Sequence, residues 1–468
     1  MRAAVVTGVL LLLVACSTPT GSTPAPGPAP SSSSSSSVPT PDPTASHEPE
    51  PPTSEPLVFA VHVRRTPADL SRRQAGLLLD GGVGRWSQLG LTGGRLTVTR
   101  KPAALRSLAP DTVAVVPASQ VGPGVRVLSV AGVDPLRDPA DYPIRAAGPD
   151  PGRVTTLTVV GDIMLGRRVG ERAAAEGDPS YPLRPMQRRL RSADITVGNL
   201  ESTLSTDGSP TQGGDSFAAD PRVARGLRAA GFDALSLANN HAGDYGETAL
   251  VQTVDRLADA GLRPFGAGRD LAAARRPVVV ERHGVRFGFV GFNAIGETPE
   301  AGHGQPGASS VSMPIRTGPL DRGELDRVLE DVRRLARRVD VVTVLPHWGD
   351  QYTERPLPIQ EHVARQLVRA GADLVVGGHP HWVQGASLVG TSLVVQSLGN
   401  FTFDMTTPET NEGLALEATY WGDELKGVAF VPYRIGADHA PRVVPVDAAG
   451  RMFANFWRFS ELGAASPR

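Results

Sequence analysis

The pentapeptide Gly377-Gly378-His379-Pro380-His381 follows an apolar run, Ala372-Asp373-Leu374-Val375-Val376. Two histidines one residue apart at the end of a buried strand can aim two imidazoles into one crevice. Zinc, manganese and iron accept imidazole together with carboxylate. A polar strand end has the same appearance, so the pair gains meaning only from its company. Gly161-Asp162 closes the run Leu157-Thr158-Val159-Val160, and Gly198-Asn199-Leu200-Glu201 follows Asp194-Ile195-Thr196-Val197. Ala238-Asn239-Asn240-His241 follows Ala234-Leu235-Ser236-Leu237, and Pro346-His347-Trp348-Gly349 follows Val341 to Leu345. Of ten histidines, His241, His347, His379 and His381 stand directly after strands. Asp162, Glu201 and Asn240 join them there. Such repetition points to a metal centre rather than to scattered core polars. The other histidines, His47, His62, His283, His303, His362 and His439, lack that setting and read as surface or loop residues.

The elements between these segments have to bring them together. Helical patterns run from Pro221 to Ala230, Glu247 to Ala260, Leu320 to Arg338 and Ile359 to Arg369, and two strands flank His283-Gly284. Strand, polar residue and helix alternate five times, the pattern of an α/β layered fold with its polar residues at one edge. Open parallel sheets place their sites outside the carboxyl ends of strands. Three C-terminal strands, around Leu414 to Tyr420, Val428 to Arg434 and Val443 to Val446, are expected to complete a second sheet packed against the first.

The chain has 468 residues, a formal charge of −1, 40% hydrophobic content and 5% aromatics. That is enough for one large or two medium domains. Its basic residues are arginines except for Lys101 and Lys426, and they are dispersed among nearly equal numbers of acids, which argues against nucleic acid as a partner. Met1-Arg2 and the apolar run Val5 to Val14 have the form of a secretory signal. The run ends in Leu13-Val14-Ala15-Cys16, which resembles the bacterial lipobox. Residues 1–16 are therefore expected to be a lipoprotein signal peptide, with Cys16 acylated and the protein held at the extracytoplasmic face of the cell membrane. Cys16 is the only cysteine, so no disulfide can form. Residues 17–56, rich in Pro, Ser and Thr, form an expected disordered tether. Residues 57–150 read as a small α/β domain, in which Asp69-Leu70-Ser71 through Gly84-Arg85-Trp86-Ser87-Gln88-Leu89-Gly90 resembles one lobe of a phosphate-type periplasmic binding protein.

Gly161-Asp162-Ile163-Met164-Leu165-Gly166, Gly198 to Glu201, Asn239-Asn240-His241 with Asp244-Tyr245-Gly246, His347-Trp348-Gly349, Gly378 to His381 and Ser397 to Phe401 together resemble the CapA family of capsule or poly-γ-glutamate synthesis proteins. That family is similar to calcineurin-like metallophosphoesterases. For residues 151–455 the resemblance implies a four-layer α/β/β/α metallophosphoesterase-like sandwich. It further implies two divalent ions (manganese, iron or zinc), with Glu201 bridging them. Asp162 and His381 would complete one site, and Asn240, His347 and His379 the other. His241 would face the leaving group. Arg167 and Glu354 are candidates for contact with substrate. Two positions depart from the pattern. Met164 stands where phosphoesterases of this class carry a histidine, and Asp350-Gln351-Tyr352 stands where the family often has Glu before Tyr.

The implied function is a metal-dependent hydrolase in the synthesis or attachment of an envelope polymer, working with that polymer or its synthase complex. A non-catalytic scaffold that binds the polymer is the alternative. A hydrolase or transferase of γ-glutamyl amide bonds is a third, because water activated at a dinuclear site can attack a carbonyl.

Overall fold

The computed structural model describes residues 53–466. The expected leader over 1–16, Cys16 and nearly all of the expected tether lie outside the described residues. Within them no helix is long and apolar enough to cross a membrane. The first strand, Ser54–His62, begins inside the segment read as tether, because Ser54 to Pro56 pair with Arg145 to Ala147.

Two large mixed sheets carry the site. In the first, the parallel strands Arg263–Phe265, Ala234–Ser236, Ile195–Leu200 and Val154–Ile163 lie side by side in that order. The second runs through Val285–Asn293, Val341–His347, Leu374–Val376 and Ser392–Leu398, also parallel. Alternation along each strand divides its side chains between two faces. Leu157, Val159, Ile195 and Val197 of the first sheet share one core with Phe287, Phe289, Leu345 and Leu374 of the second. On the outer face of the first sheet, Val160, Ile163 and Leu235 pack under Leu190, Leu227 and Leu250, which belong to the helices Arg184–Leu190, Val223–Ala230 and Glu247–Asp259. On the outer face of the second, Val342, Val344 and Val375 meet Val328, Val332 and Leu367 of the helices Arg322–Ala336 and Pro358–Ala370. The result is the expected α/β/β/α sandwich.

The C-terminal strands correct one expectation. Glu412–Trp421 pairs antiparallel with Val154–Ile163, and Glu424–Ile435 and Pro441–Val443 follow it outward. They extend the first sheet and do not form a separate one. The physical reason is that the edge of Val154–Ile163 away from Ile195–Leu200 has no parallel neighbour along its first half, so its backbone groups have to pair with a returning chain.

The N-terminal residues form a small sheet of Thr97–Thr99, Thr112–Pro117, Ser54–His62 and Val125–Val127, with a core that includes Phe59, Trp86 and Tyr142. A second cluster, with Val58, Ala114 and Leu136, takes in Trp421 of the large sheet. Trp421 Nε1 donates to Leu136 O at 2.8 Å, and the buried Lys426 Nζ donates to Ser119 O at 2.8 Å.

Candidate metal centre

Register in the first sheet places Asp162 between Asn199 on one side and Asn400 on the other. In the second sheet His347 lies beside Gly378 and Asn293. The two parallel arrays end at the same edge, and the residues just past their ends face one another there.

Asp162 and Glu201 are fully buried. Asn199 Nδ2 donates to Asp162 Oδ1 at 2.8 Å and to Glu201 Oε1 at 3.1 Å, so one amide spaces the two carboxyls. Asn199 is held in turn by Asn239 Nδ2, which donates to its Oδ1 at 3.0 Å. Asp162 Oδ2 also accepts the backbone N–H of His379 at 3.0 Å. Burial pushes the Asp162 carboxyl up to about 6, against the lowering by Asn199. Burial, reinforced by the charge of Asp162, raises Glu201 well above the usual carboxylate range.

Ligand atoms of Asp162, Glu201 and His381 lie within 4.8 Å of one another. His381 Nδ1 donates to Asn400 Oδ1 at 2.8 Å, which leaves Nε2 as the lone-pair nitrogen. On the other side, His347 Nε2 is 2.8 Å from Asn240 Oδ1 and 3.5 Å from Glu201 Oε1. The ring of His379 stands 5.0 Å from that of His347 and 5.7 Å from that of His381. Burial lowers the basicity of all three histidines, His381 to about 4. The six residues read as ligands, Asp162, Glu201, Asn240, His347, His379 and His381, thus converge on one place.

Whether this place suits metal ions can be judged from its own polar atoms. Glu201 Oε2 and both ring nitrogens of His379 are buried without a hydrogen-bond partner. A buried polar group normally has one, and an unpaired buried carboxylate is costly. Two carboxyls and three neutral imidazoles, of which His379 has no partner and His347 is held by Asn199 at Nδ1 (3.2 Å) and Asn240 at Nε2, form a donor set of the kind suited to borderline divalent ions. The backbone is shaped for it. A Cβ on Gly378 would lie 2.5 Å from Asp162 Oδ1, so only glycine lets this strand end approach. Of eight non-glycine residues with positive φ among the described residues, five belong to this region: Arg167 (45°), Glu297 (66°), Tyr352 (62°), His379 (97°) and His381 (59°). Strain of this kind persists where surrounding contacts hold it.

His241 sits beside the centre, 5% exposed. Its Nδ1 donates to Asp244 Oδ2 at 2.9 Å, and its Nε2 accepts from Asn240 Nδ2 at 3.0 Å. Its ring stacks on Phe217 at 3.9 Å, and the Arg167 guanidinium covers the same phenyl ring at 4.5 Å. Arg167 also pairs with Asp404 and Asp215, and so stands at the rim. Glu354, on the loop after His347, is half-buried and makes no hydrogen bond or ion pair among the described residues. Met164 points away from the centre into the core under the helices, where its Sδ accepts the N–H of Gly166 at 3.2 Å. Three partners escape a reading of the sequence: Glu297, whose Oε2 accepts from Asn240 Nδ2 at 2.7 Å; Arg316, which donates to Glu297 Oε1 at 2.9 Å; and Asn400 in its role as holder of His381. Asn400 alone has a cue, its place in the Ser397 to Phe401 motif.

The layered fold is an α/β/β/α sandwich with a buried cluster of carboxylates and imidazoles at one edge. Residues 156–405 match the family model described as bacterial capsule synthesis protein PGA_cap, and the chain belongs to that family. It is 32% identical over 267 residues to the capsule biosynthesis protein CapA of Bacillus anthracis, a match covering 56% of this chain and 63% of that one. It is 28% identical over 268 residues to the PGA biosynthesis protein CapA of Bacillus subtilis (strain 168), covering 56% and 67%. The chain therefore spans less than two thirds of the first of these relatives. Among solved structures, a hypothetical protein from Thermus thermophilus aligns over 60% of this chain and 99% of its own, with 17% identity and a TM-score of 0.39.

Proposed function

We propose that this chain is a metal-dependent hydrolase acting in the synthesis or attachment of an anionic envelope polymer. The observation that carries the reading is the set of buried, unpartnered atoms, Glu201 Oε2 and His379 Nδ1 and Nε2, beside the cluster of Asp162, Glu201 and His381 and the ring of His347. Asp162, Glu201 and His381 would hold one divalent ion, and Glu201, Asn240, His347 and His379 a second. Bound there, such ions supply an activated water and neutralise charge on the attacked phosphoryl or carbonyl oxygen. His241 would carry a proton at Nε2 for the departing oxygen or nitrogen, with Asp244 fixing the ring through Nδ1. The near-complete burial of the ligand set keeps bulk water from the reacting groups. The relatives' names, for capsule and PGA biosynthesis, support the polymer assignment.

The proposal includes an extracytoplasmic location with a lipid anchor at Cys16, supported by the apolar run and Leu13-Val14-Ala15-Cys16. Cys16→Ser should then release the protein from the membrane fraction.

Elemental analysis of the protein beside Glu201→Ala is the deciding experiment. One or two transition ions per parent chain, lost in the variant, supports the reading, and phosphate esters and γ-glutamyl amides can then be compared as substrates by product analysis. No retained metal in either protein would end it. A scaffold that binds polymer without cleaving it is the second reading, favoured by Met164, whose side chain joins the core where a further imidazole ligand is usual.

A further inference from the structure

Asn240 has one amide nitrogen and two claims on it. One hydrogen faces His241 Nε2, and the other goes to the carboxylate of Glu297. The second oxygen of that carboxylate is held by Arg316. Glu297 is thus a carboxylate clamped between a guanidinium and the amide of a would-be metal ligand, and that amide also touches the proposed leaving-group acid. Charge-assisted contacts of this type are how proteins hold anionic ligands. Its own surroundings make Glu297 an odd structural brace. It follows Gly296, both have positive φ, and its side chain is 31% exposed.

The frame around it is fixed. Asn293 Nδ2 donates to Gly296 O at 2.9 Å, and Thr298 Oγ1 accepts the N–H of Gly243 at 3.0 Å, so the loop is pinned on both sides of Glu297. The turn that carries Arg316 is tied to the same loop, since Thr317 Oγ1 donates to Ala294 O at 3.2 Å. The backbone that carries Arg316 is therefore tied to the loop of Glu297, Asn240 is held by His347, and rotation of the Glu297 side chain would uncover both.

We infer that Arg316 and Asn240 form the receptor for a carboxylate of an acidic polymer substrate, and that Glu297 is an internal occupant displaced when that carboxylate binds. This rests on reading the centre as a hydrolase site and names the substrate class it would take. The split of two carboxylate oxygens between Arg316 and Asn240 is the pattern the substrate would inherit. Glutamyl chains present that group once per residue.

The test is calorimetric titration of the full chain with a γ-linked glutamate tetramer, and separately with inorganic phosphate, with manganese, zinc and iron content measured in the same samples. Removing the occupant in Glu297→Ala should tighten tetramer binding by about tenfold, and Arg316→Ala should weaken it by about tenfold. The double variant should bind no better than Arg316→Ala. Glu297→Gln, which keeps an oxygen for Asn240 while dropping the charge that holds Arg316, should also bind tetramer more tightly and guards against misfolding of the alanine variant. Unchanged or weaker tetramer binding in both Glu297 variants would overturn the inference, as would a gain for phosphate alone. A parent chain that holds no transition ion, neither manganese nor zinc nor iron, would refute the hydrolase reading instead. The exchange at Arg316 would still be read, because neither Arg316 nor Glu297 is among the proposed metal holders.

Discussion

The backbone N–H of His379 donates to Asp162 Oδ2 at 3.0 Å, a single bond that ties the end of one sheet to the end of the other. Asp162 therefore has two duties with opposite energetic signs. It satisfies donors from Asn199 and His379, and it crowds the buried Glu201 carboxyl, whose acidity it weakens.

Asp162→Asn separates those duties. The single amide oxygen can accept from His379 or from Asn199 but not from both, a loss set against removal of the larger repulsion between two buried carboxyls. In chelator-treated protein the variant should melt on the order of a few degrees higher than the parent. With manganese or zinc present the order should reverse, because the variant lacks the Asp162 carboxylate of the first proposed ion site and gains less from bound metal. Melting curves with and without chelator check both halves.

Metal uptake should release protons, and from the acids rather than the histidines. Burial already keeps His347, His379 and His381 neutral at pH 7, whereas Glu201 is raised well above the usual carboxylate range. Release should be measurable at pH 7 and grow as pH falls toward 6, where Asp162 is partly protonated. Calorimetry in buffers of different ionisation heat gives the number. A count of zero at pH 7 would contradict it.

The metal-free fold should respond to pH in two opposed ways. The raised Asp162 carboxyl contributes stability that is full below the unfolded value of 3.8 and lost as pH rises through about 6. The lowered His381 contributes stability that is full above 6.5 and lost as pH falls through about 4. Between about 4 and 6 the two partly cancel. Asp162→Asn removes the first, so its melting temperature should fall more steeply than the parent's on acidification over that window.

Asp244→Asn should leave metal content unchanged and lower turnover by roughly 100-fold or more, since it removes the carboxylate that orients His241. Glutamine at His241 should do the same. Turnover at the parent's level in both variants would remove His241 from the chemistry.

Met164→His places an imidazole just past the strand that ends near Asp162, yet it should add no ligand. The side chain lies in the core with Leu165, Val169 and Phe401. An imidazole there has the Gly166 N–H as a partner for one nitrogen at most and leaves the other buried without one, which should cost about 1–3 kcal/mol. Lower melting temperature with unchanged metal stoichiometry is the expected pair of results.

The six proposed ligand positions are legible in the sequence because each lies at or just past the end of an apolar run, and an apolar run that stops at Asp, Glu, Asn or His leaves a visible mark. The assignment of strands to sheets is not. Val154–Ile163 and Val341–His347 have the same pattern although they belong to different sheets, and nothing in Glu412–Trp421 says that it pairs with Val154–Ile163. Arg316 and Glu297 are hidden for another reason. They sit on irregular loops among many other arginines and glutamates, and only the fold brings them to Asn240.

Trp421 and Lys426, on neighbouring strands of the first large sheet, reach into the small N-terminal one through Leu136 and Ser119. Removing the N-terminal residues would uncover the indole and leave the buried Lys426 ammonium short of an acceptor. The layers that carry the centre are therefore coupled in cooperativity to a segment that supplies none of the six proposed metal ligands. Heat or denaturant should melt both in a single transition, and the small sheet serves as the foundation on which the far edge of the large one is completed.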